Sequence, residues 1–254
     1  MSFMKQVRIN RTLSAAIKTS LIVTSLALPF TAQAKDLSVK ITNLTNGLYF
    51  TPLLVAAHSD EVDFYELGEP ASEHLQAMAE GGNFTGLSAD AKENGAVVVE
   101  NPAAGLLAPG HSATAKLKGI KRHNNYLSVT AMLLPTNDGF IGADAIEIPK
   151  KAGTYTFYLN GYDAGTEVND EIINGGGLPG SPGIPGAPGG DGGIGGTGVT
   201  TEEANQTVHV HRGIIGDDYA EGGSSDLDAT IHRWLNPVVK MEVTVGCEKG
   251  KGCR

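Results

Sequence analysis

An all-β fold, an antiparallel sandwich or barrel, is predicted by three features of the sequence. Short runs rich in β-branched and aromatic residues recur along the chain, with Gly, Asn and Pro between them at short intervals. Several runs alternate apolar and polar residues with a period of two, which sets one face of a strand against a core. A single stretch carries the spacing of an amphipathic helix, so helix content is expected to be low.

Residues 1–34 read as a processing signal. Lys5, Arg8, Arg11 and Lys18 form a basic leader, residues 21–30 an apolar core too short to span a bilayer, and Ala32-Gln33-Ala34 an A-x-A cleavage site. The leader looks bacterial. The expectation is export to the periplasm, the medium or the cell surface, a mature chain starting at Lys35, and no transmembrane segment after it. Removing the leader takes away four bases and no acids, which leaves 15 Lys and Arg against 28 Asp and Glu, a formal charge of −13. So acidic a surface excludes nucleic acid as a partner, because phosphates demand basic patches. The roughly 220 mature residues suffice for one large β domain over residues 35–246.

The strand candidates follow in order. Residues 36–42 alternate Leu37, Val39 and Ile41 with polar neighbours, and Asn46-Gly47 supplies a turn. Residues 48–57 are almost continuously apolar around Pro52. The helix is expected at residues 70–80, with Pro70 in the first turn, Ala71, Leu75, Met78 and Ala79 on one face and Gly81-Gly82 as its stop. Further strands are expected at 96–100, 111–117, 126–134, 143–148, 154–159, 207–211 and 237–245.

Between 177 and 198 glycine returns every third residue, with Pro179, Pro182, Pro185 and Pro188 in the third place of four triplets. This collagen-like stretch reads as a solvated loop inserted between two strands of one domain, because eight triplets are few and the last lose their proline. A short triple helix that trimerises the chain is the rival reading; a monomer is expected. Cys247 and Cys253 lie in a C-terminal tail, 247–254. In an oxidising compartment they are expected to form a disulfide.

Two acidic, turn-rich segments flank the run 154–159: one holds Asp138 and Asp144, the other Asp163, Glu167 and Asp170. Two acidic loops joined by a strand can meet at one end of a sheet, and carboxylates gathered there repel unless a hard cation such as calcium lies among them. The spacing is not that of an EF-hand, so any site is assembled across loops. The plain alternative is solvated turn residues, since Asp and Gly dominate turns on backbone geometry alone.

The segments N-D-G-F-I-G from Asn137 and Y-D-A-G-T-E from Tyr162 to Glu167 resemble the spondin N-terminal domain, as found in bacterial secreted proteins of F-spondin or mindin type. The run Y-F-T-P-L-L-V-A-A-H ending at His58, the E-P-A-S-E-H helix and the segments H-V-H-R-G-I and H-R-W-L-N-P-V are similar to the same family, which takes the likeness from about residue 36 to 245. The resemblance implies a C2-like antiparallel β-sandwich with Ca2+ held by Asp138, Asp163 and Glu167. Position 167 departs from the pattern, which usually has Asp there; the longer Glu must retract or bind through both oxygens.

His209 and His211 stand at i and i+2 on one face of a strand, where two imidazoles can begin a zinc or copper site with His232 as a third ligand. Hydrogen-bonded framework is the simpler reading for them, as it is for His58 at a strand end. A secreted hydrolase built on Asp and His is the rival function. The sequence holds no G-x-S-x-G elbow and no triad order near the histidines, so no enzyme is expected. A purely structural, collagen-tethered surface protein is the other rival. For function, the resemblance implies a secreted, calcium-binding adhesion or binding module for an extracellular protein or glycan.

Overall fold

A computed structural model of the chain describes residues 35–173, 183–189, 192–193, 205–219 and 223–246. The leader, the two cysteines and most of the glycine-period segment lie outside these described residues. Ten strands and two helices run in the order β1 Lys35–Asn43, β2 Tyr49–Phe50, β3 Leu54–His58, α1 Glu73–Gly81, α2 Thr85–Glu93, β4 Val97–Glu100, β5 Ser112–Ile120, β6 Tyr126–Leu134, β7 Gly139–Glu147, β8 Gly153–Asp163, β9 His209–Val210 and β10 Val239–Val245.

The strands form one sheet in the order β4-β3-β6-β7-β8-β10-β1-β5, with β2 added to β6 and β9 to β8. Every ladder in it is antiparallel. The sheet curls until β4 and β3, at one end, come against β5 at the other. The two layers of the expected sandwich are thus halves of a single, nearly closed, barrel-like sheet.

Period-two patterning fills its interior. Leu37, Val39 and Ile41 of β1, Ala113, Ala115 and Leu117 of β5, and Val239, Met241, Val243 and Val245 of β10 all turn inward and are buried, while their polar neighbours face out. β6 is different, being buried from Leu127 to Leu134 without a break. Its Leu127, Val129, Ala131 and Leu133 enter the barrel, and its Met132 and Leu134 enter a second core roofed by Leu75, Met78, Ala79, Leu87 and Ala91 of the helices. A strand covered on both faces has no solvent face to mark with polar residues.

The helix predicted at 70–80 forms, but its start moves to Glu73. Ser72 is the cap, its hydroxyl accepting the Leu75 N–H at 3.1 Å, and Gly82 ends the helix at φ 67°. α2 was not expected. Its cap residue Phe84 offers no side-chain bond, and Gly86 lies where a β-carbon would strike the His74 ring, so the glycine that weakens the helical signal is what lets the two helices touch. The apolar run 48–57 breaks in two around Pro52, which has no N–H to give a ladder.

Asp144 is not the turn residue expected of it. β7 begins directly after Asp138, and Asp144 lies within it at a bulge, where Asp144 and Ala145 together oppose Ser128; Ala145 takes φ 48°. The bulge turns the Asp144 carboxylate to the Phe64 N–H at 2.9 Å and the Ser128 hydroxyl at 3.0 Å. Of the glycine-period segment, Ile184 is buried and Ala187 packs on the second core. This part of the stretch lies against the domain and is not solvated throughout.

At the mouth of the barrel Trp234 packs onto Gly161. A β-carbon there would sit 3.0 Å from Leu133 Cδ1 and closer still to the indole. Gly161→Ala is therefore expected to lower the unfolding free energy by about 1–3 kcal/mol through overpacking. Urea titration followed by tryptophan emission measures this, and an unchanged midpoint would show that the mouth yields without strain.

Candidate metal centre

Two turns bring the predicted acids to one end of the sheet. In the first, the Thr136 hydroxyl donates to Leu133 O at 2.6 Å and accepts the Gly139 N–H at 3.0 Å, which delivers Asp138 to the head of β7. Gly139 pairs with Asp163, the last residue of β8, so the two aspartates reach the same end of neighbouring strands. The second turn requires Gly165. Its φ of 70° lies in the left-handed region, and a β-carbon would come within 2.6 Å of the backbone of residues 206–207.

Asp138 pins one turn to the other. Its Oδ2 accepts the Thr166 N–H at 2.7 Å, the Glu167 N–H at 3.0 Å and the Thr166 hydroxyl at 3.2 Å. Asp163 is held by its own loop, Oδ1 accepting the Gly165 N–H at 2.8 Å and Oδ2 the Asn169 side-chain amide at 2.6 Å. Asn137 completes the stitching, donating to Asp170 Oδ1 at 3.0 Å and accepting the Glu171 N–H at 3.2 Å. Asp170 is thereby drawn into the turn itself, where it also accepts the Ile172 N–H.

Asp138, Asp163 and Glu167 are each no more than 1% exposed. Sealed polar atoms normally find hydrogen-bond partners. Asp138 Oδ1 and both Glu167 oxygens have none among the described residues. Nor does any Lys or Arg among those residues pair with the three acids. Burial, and after it the charge of Asp163, pushes the Asp138 carboxyl up to about 7 against the pull of its Thr166 and Glu167 donors. Burial, then the charges of Glu80 and Asp138, pushes Glu167 up to about 8 against the pull of the nearby Asn137 side chain, which falls short of hydrogen-bond geometry. Acids in this state call for a proton or a cation.

Glu80 is the residue that sequence reasoning missed. It stands in the last turn of α1, 6% exposed, accepts the Gln76 amide at 2.8 Å and has its pKa raised by burial. The signal was there: an acid at the C-terminal end of a helix opposes the helix dipole and needs a reason. Asp144, bonded to Phe64 and Ser128, stands outside this group.

The histidines divide. His209 Nε2 lies 3.7 Å from Asp163 Oδ2, with Nδ1 bonded to Thr207 O. His211 is buried against Trp234, its Nδ1 accepting the Gly213 N–H at 2.9 Å, and burial pushes its pKa down to about 4. That bond fixes the proton of the neutral ring on Nε2, which leaves neither nitrogen a lone pair for a metal. His232 accepts the Asp228 N–H at 3.0 Å and His58 bonds Ser59 O and the Ser128 hydroxyl, so both serve as framework. Among the described residues no three His, Cys, Asp or Glu groups stand as a finished cage. The fit to a cation accordingly rests on the orphaned oxygens and on the hard, all-oxygen donor set, which suits calcium.

Residues 41–170 match the family model described as Spondin_N, a span that contains Asp138, Asp163 and Glu167 and stops short of the histidine pair. A search of curated proteins finds no match to the chain.

The raised acids set a pH dependence for the ion-free protein. A carboxyl whose folded pKa exceeds its unfolded value near 4 binds its proton more tightly when folded, so its stabilising contribution is complete below that value and is lost as pH rises through about 7 for Asp138 and about 8 for Glu167. In the presence of a metal chelator, the melting temperature is expected to fall between pH 5 and pH 8.5, and Glu167→Gln to flatten the upper part of that fall. Thermal melts across the range test it; a melting temperature that climbs through the window would contradict the assigned shifts.

Proposed function

Because the chain belongs to the spondin N-terminal domain family, we propose that it is an exported, extracellular-type module that binds one calcium ion through Asp138, Asp163 and Glu167 and uses the ordered loops to bind a cell-surface or extracellular partner. The observation that carries the reading is the set of three carboxylate oxygens, Asp138 Oδ1 and both of Glu167, buried without a hydrogen-bond partner among the described residues.

The donor roles follow from which lone pairs are spent. Asp138 Oδ2 is saturated by three donors, so Oδ1 is its free ligand oxygen. Glu167 keeps both oxygens and has the reach to offer them together. Each Asp163 oxygen accepts one side-chain or backbone bond and retains a second lone pair. Calcium would supply the positive charge that turns mutual repulsion of these acids into attraction and fastens the loop after β8 to the loop before β7. Glu80 brings a further negative charge from the helix layer. The role is binding and not catalysis, since carboxylates this thoroughly sealed are out of reach of a substrate.

Calcium binds the folded chain and hardly the unfolded one, so a hundredfold excess over Kd is expected to stabilise the fold by about 2.7 kcal/mol. Melting curves of stripped protein with and without calcium measure this. Asp163→Ala is expected to abolish the response while the β-sheet spectrum remains, and Asp144→Asn to preserve it. A melting curve indifferent to calcium would return the acids to the status of turn residues.

A further inference from the structure

A second feature lies on the outer face of β7 and β8, further along the ladder from Phe140, which the helix-covered second core buries. Phe140 pairs with Tyr162 and Gly142 with Asn160 across this ladder, so residues 140, 142 and 144 and residues 158, 160 and 162 share the outward face. Gly142 has no side chain, and the sheet dips there. The Tyr65 ring lies over the dip, its hydroxyl 2.5 Å from where a β-carbon would be, and its centroid is 5.2 Å from both Phe140 and Tyr162.

What remains beside Tyr65 is an open trough of about 500 Å³ lined by Tyr65, Tyr158, Tyr162, Asp144, Asn160 and Glu66. Its volume is that of a small-molecule site. Tyr158, 62% exposed, and Leu67, 54% exposed, also line it, two large apolar surfaces held in water. None of the calcium-site acids lines it, so this site stands apart from the proposed ion.

The charges at the trough are of one sign. No Lys, Arg or His lines it, and Glu66, Asp144 and neighbouring Asp63 form no ion pair among the described residues. Behind Asp144 runs a buried chain. His58 Nε2 lies 2.7 Å from the Ser128 hydroxyl, which lies 3.0 Å from Asp144 Oδ1, and Ser59 O fixes a proton on His58 Nδ1. Glu66 lines the trough and Asp63 stands near Asp144, so both add negative charge there. Asp144 Oδ1 takes both of the carboxylate's hydrogen bonds among the described residues, one from Phe64 and one from Ser128.

We propose that this trough binds an organic ammonium group, quaternary or protonated, through the rings of Tyr65, Tyr158 and Tyr162 and the carboxylates of Asp144 and Glu66. Aromatic rings attract a cation through their quadrupole, and the adjacent carboxylates supply the charge a neutral ligand would leave uncompensated.

The test is an NMR titration of the calcium-loaded protein with choline, with Nα-acetyllysine amide, with 3,3-dimethylbutan-1-ol, which is choline's neutral carbon isostere, and with glucose. Choline or the lysine amide is expected to move the Gly142 and Asn160 amides saturably, the isostere and glucose to leave them in place, and 0.5 M salt to weaken the effect. Whichever ammonium binds distinguishes a free quaternary ligand from a lysine side chain. Tyr158→Ala, at an exposed position, and Asp144→Asn, whose amide oxygen keeps both hydrogen bonds, are each expected to weaken binding about fivefold or more. Equal binding by the isostere, a response to glucose alone, or no movement by either ammonium would overturn the proposal.

Discussion

The register between β7 and β8 governs both ends of what this protein presents. Pairing Gly139 with Asp163 places the acids of two loops at one end of the ladder, and continuing that pairing to Gly142 and Asn160 lays the outer trough beside them. A slip of one residue would exchange the faces of a whole strand, taking Leu159 out of the barrel and turning Tyr158 inward. Inward packing of Ile141, Ala143 and Leu159 against the barrel core therefore fixes the position of groups that do not touch that core.

The acid cluster is an imbalance built into a well-satisfied surround. Thr136, Asn137, Thr166 and Asn169 spend their hydrogen bonds on the turns and on the nearer carboxylate oxygens, and the oxygens left over face one another without a base. Burying unpaired charge is among the most costly arrangements a fold can contain. The neighbouring acid Glu171 shows the contrast: its carboxylate accepts the Ile215 and Gly216 N–H groups and the Ser225 hydroxyl and has Arg212 at 3.7 Å. Glu171 is finished within the chain and holds Ile215, Gly216 and Ser225 in place. Asp138 and Glu167 are not finished, and that difference separates a structural acid from a site.

Much of the fold was legible because one-sided strands write their burial into alternate residues, as β1, β5 and β10 do. α1 was legible from its apolar face and its stop signal, although Ser72 displaced Pro70 as its start. What stayed hidden depended on neighbours distant in sequence. α2 exists because His74 meets Gly86, and the bulge at Asp144 exists because Ser128 stands opposite two residues at once. The candidate site was legible as two acidic turns, and the motif likeness selected its three residues. Their complete burial was not, because it comes from the helix layer and from residues 205–208 closing over the loops. Glu80 belongs to that hidden part.

The curl of the sheet has a consequence for how such a protein resists association. An open sheet offers two rows of unpaired backbone groups on which another chain can template itself. Here the two terminal strands, β4 and β5, lie against each other, and β5 carries Lys116 and Lys118 outward. The borders of the sheet guard one another. Strand addition at these borders is thereby hindered, which leaves the loops and the outer face as the more open surfaces.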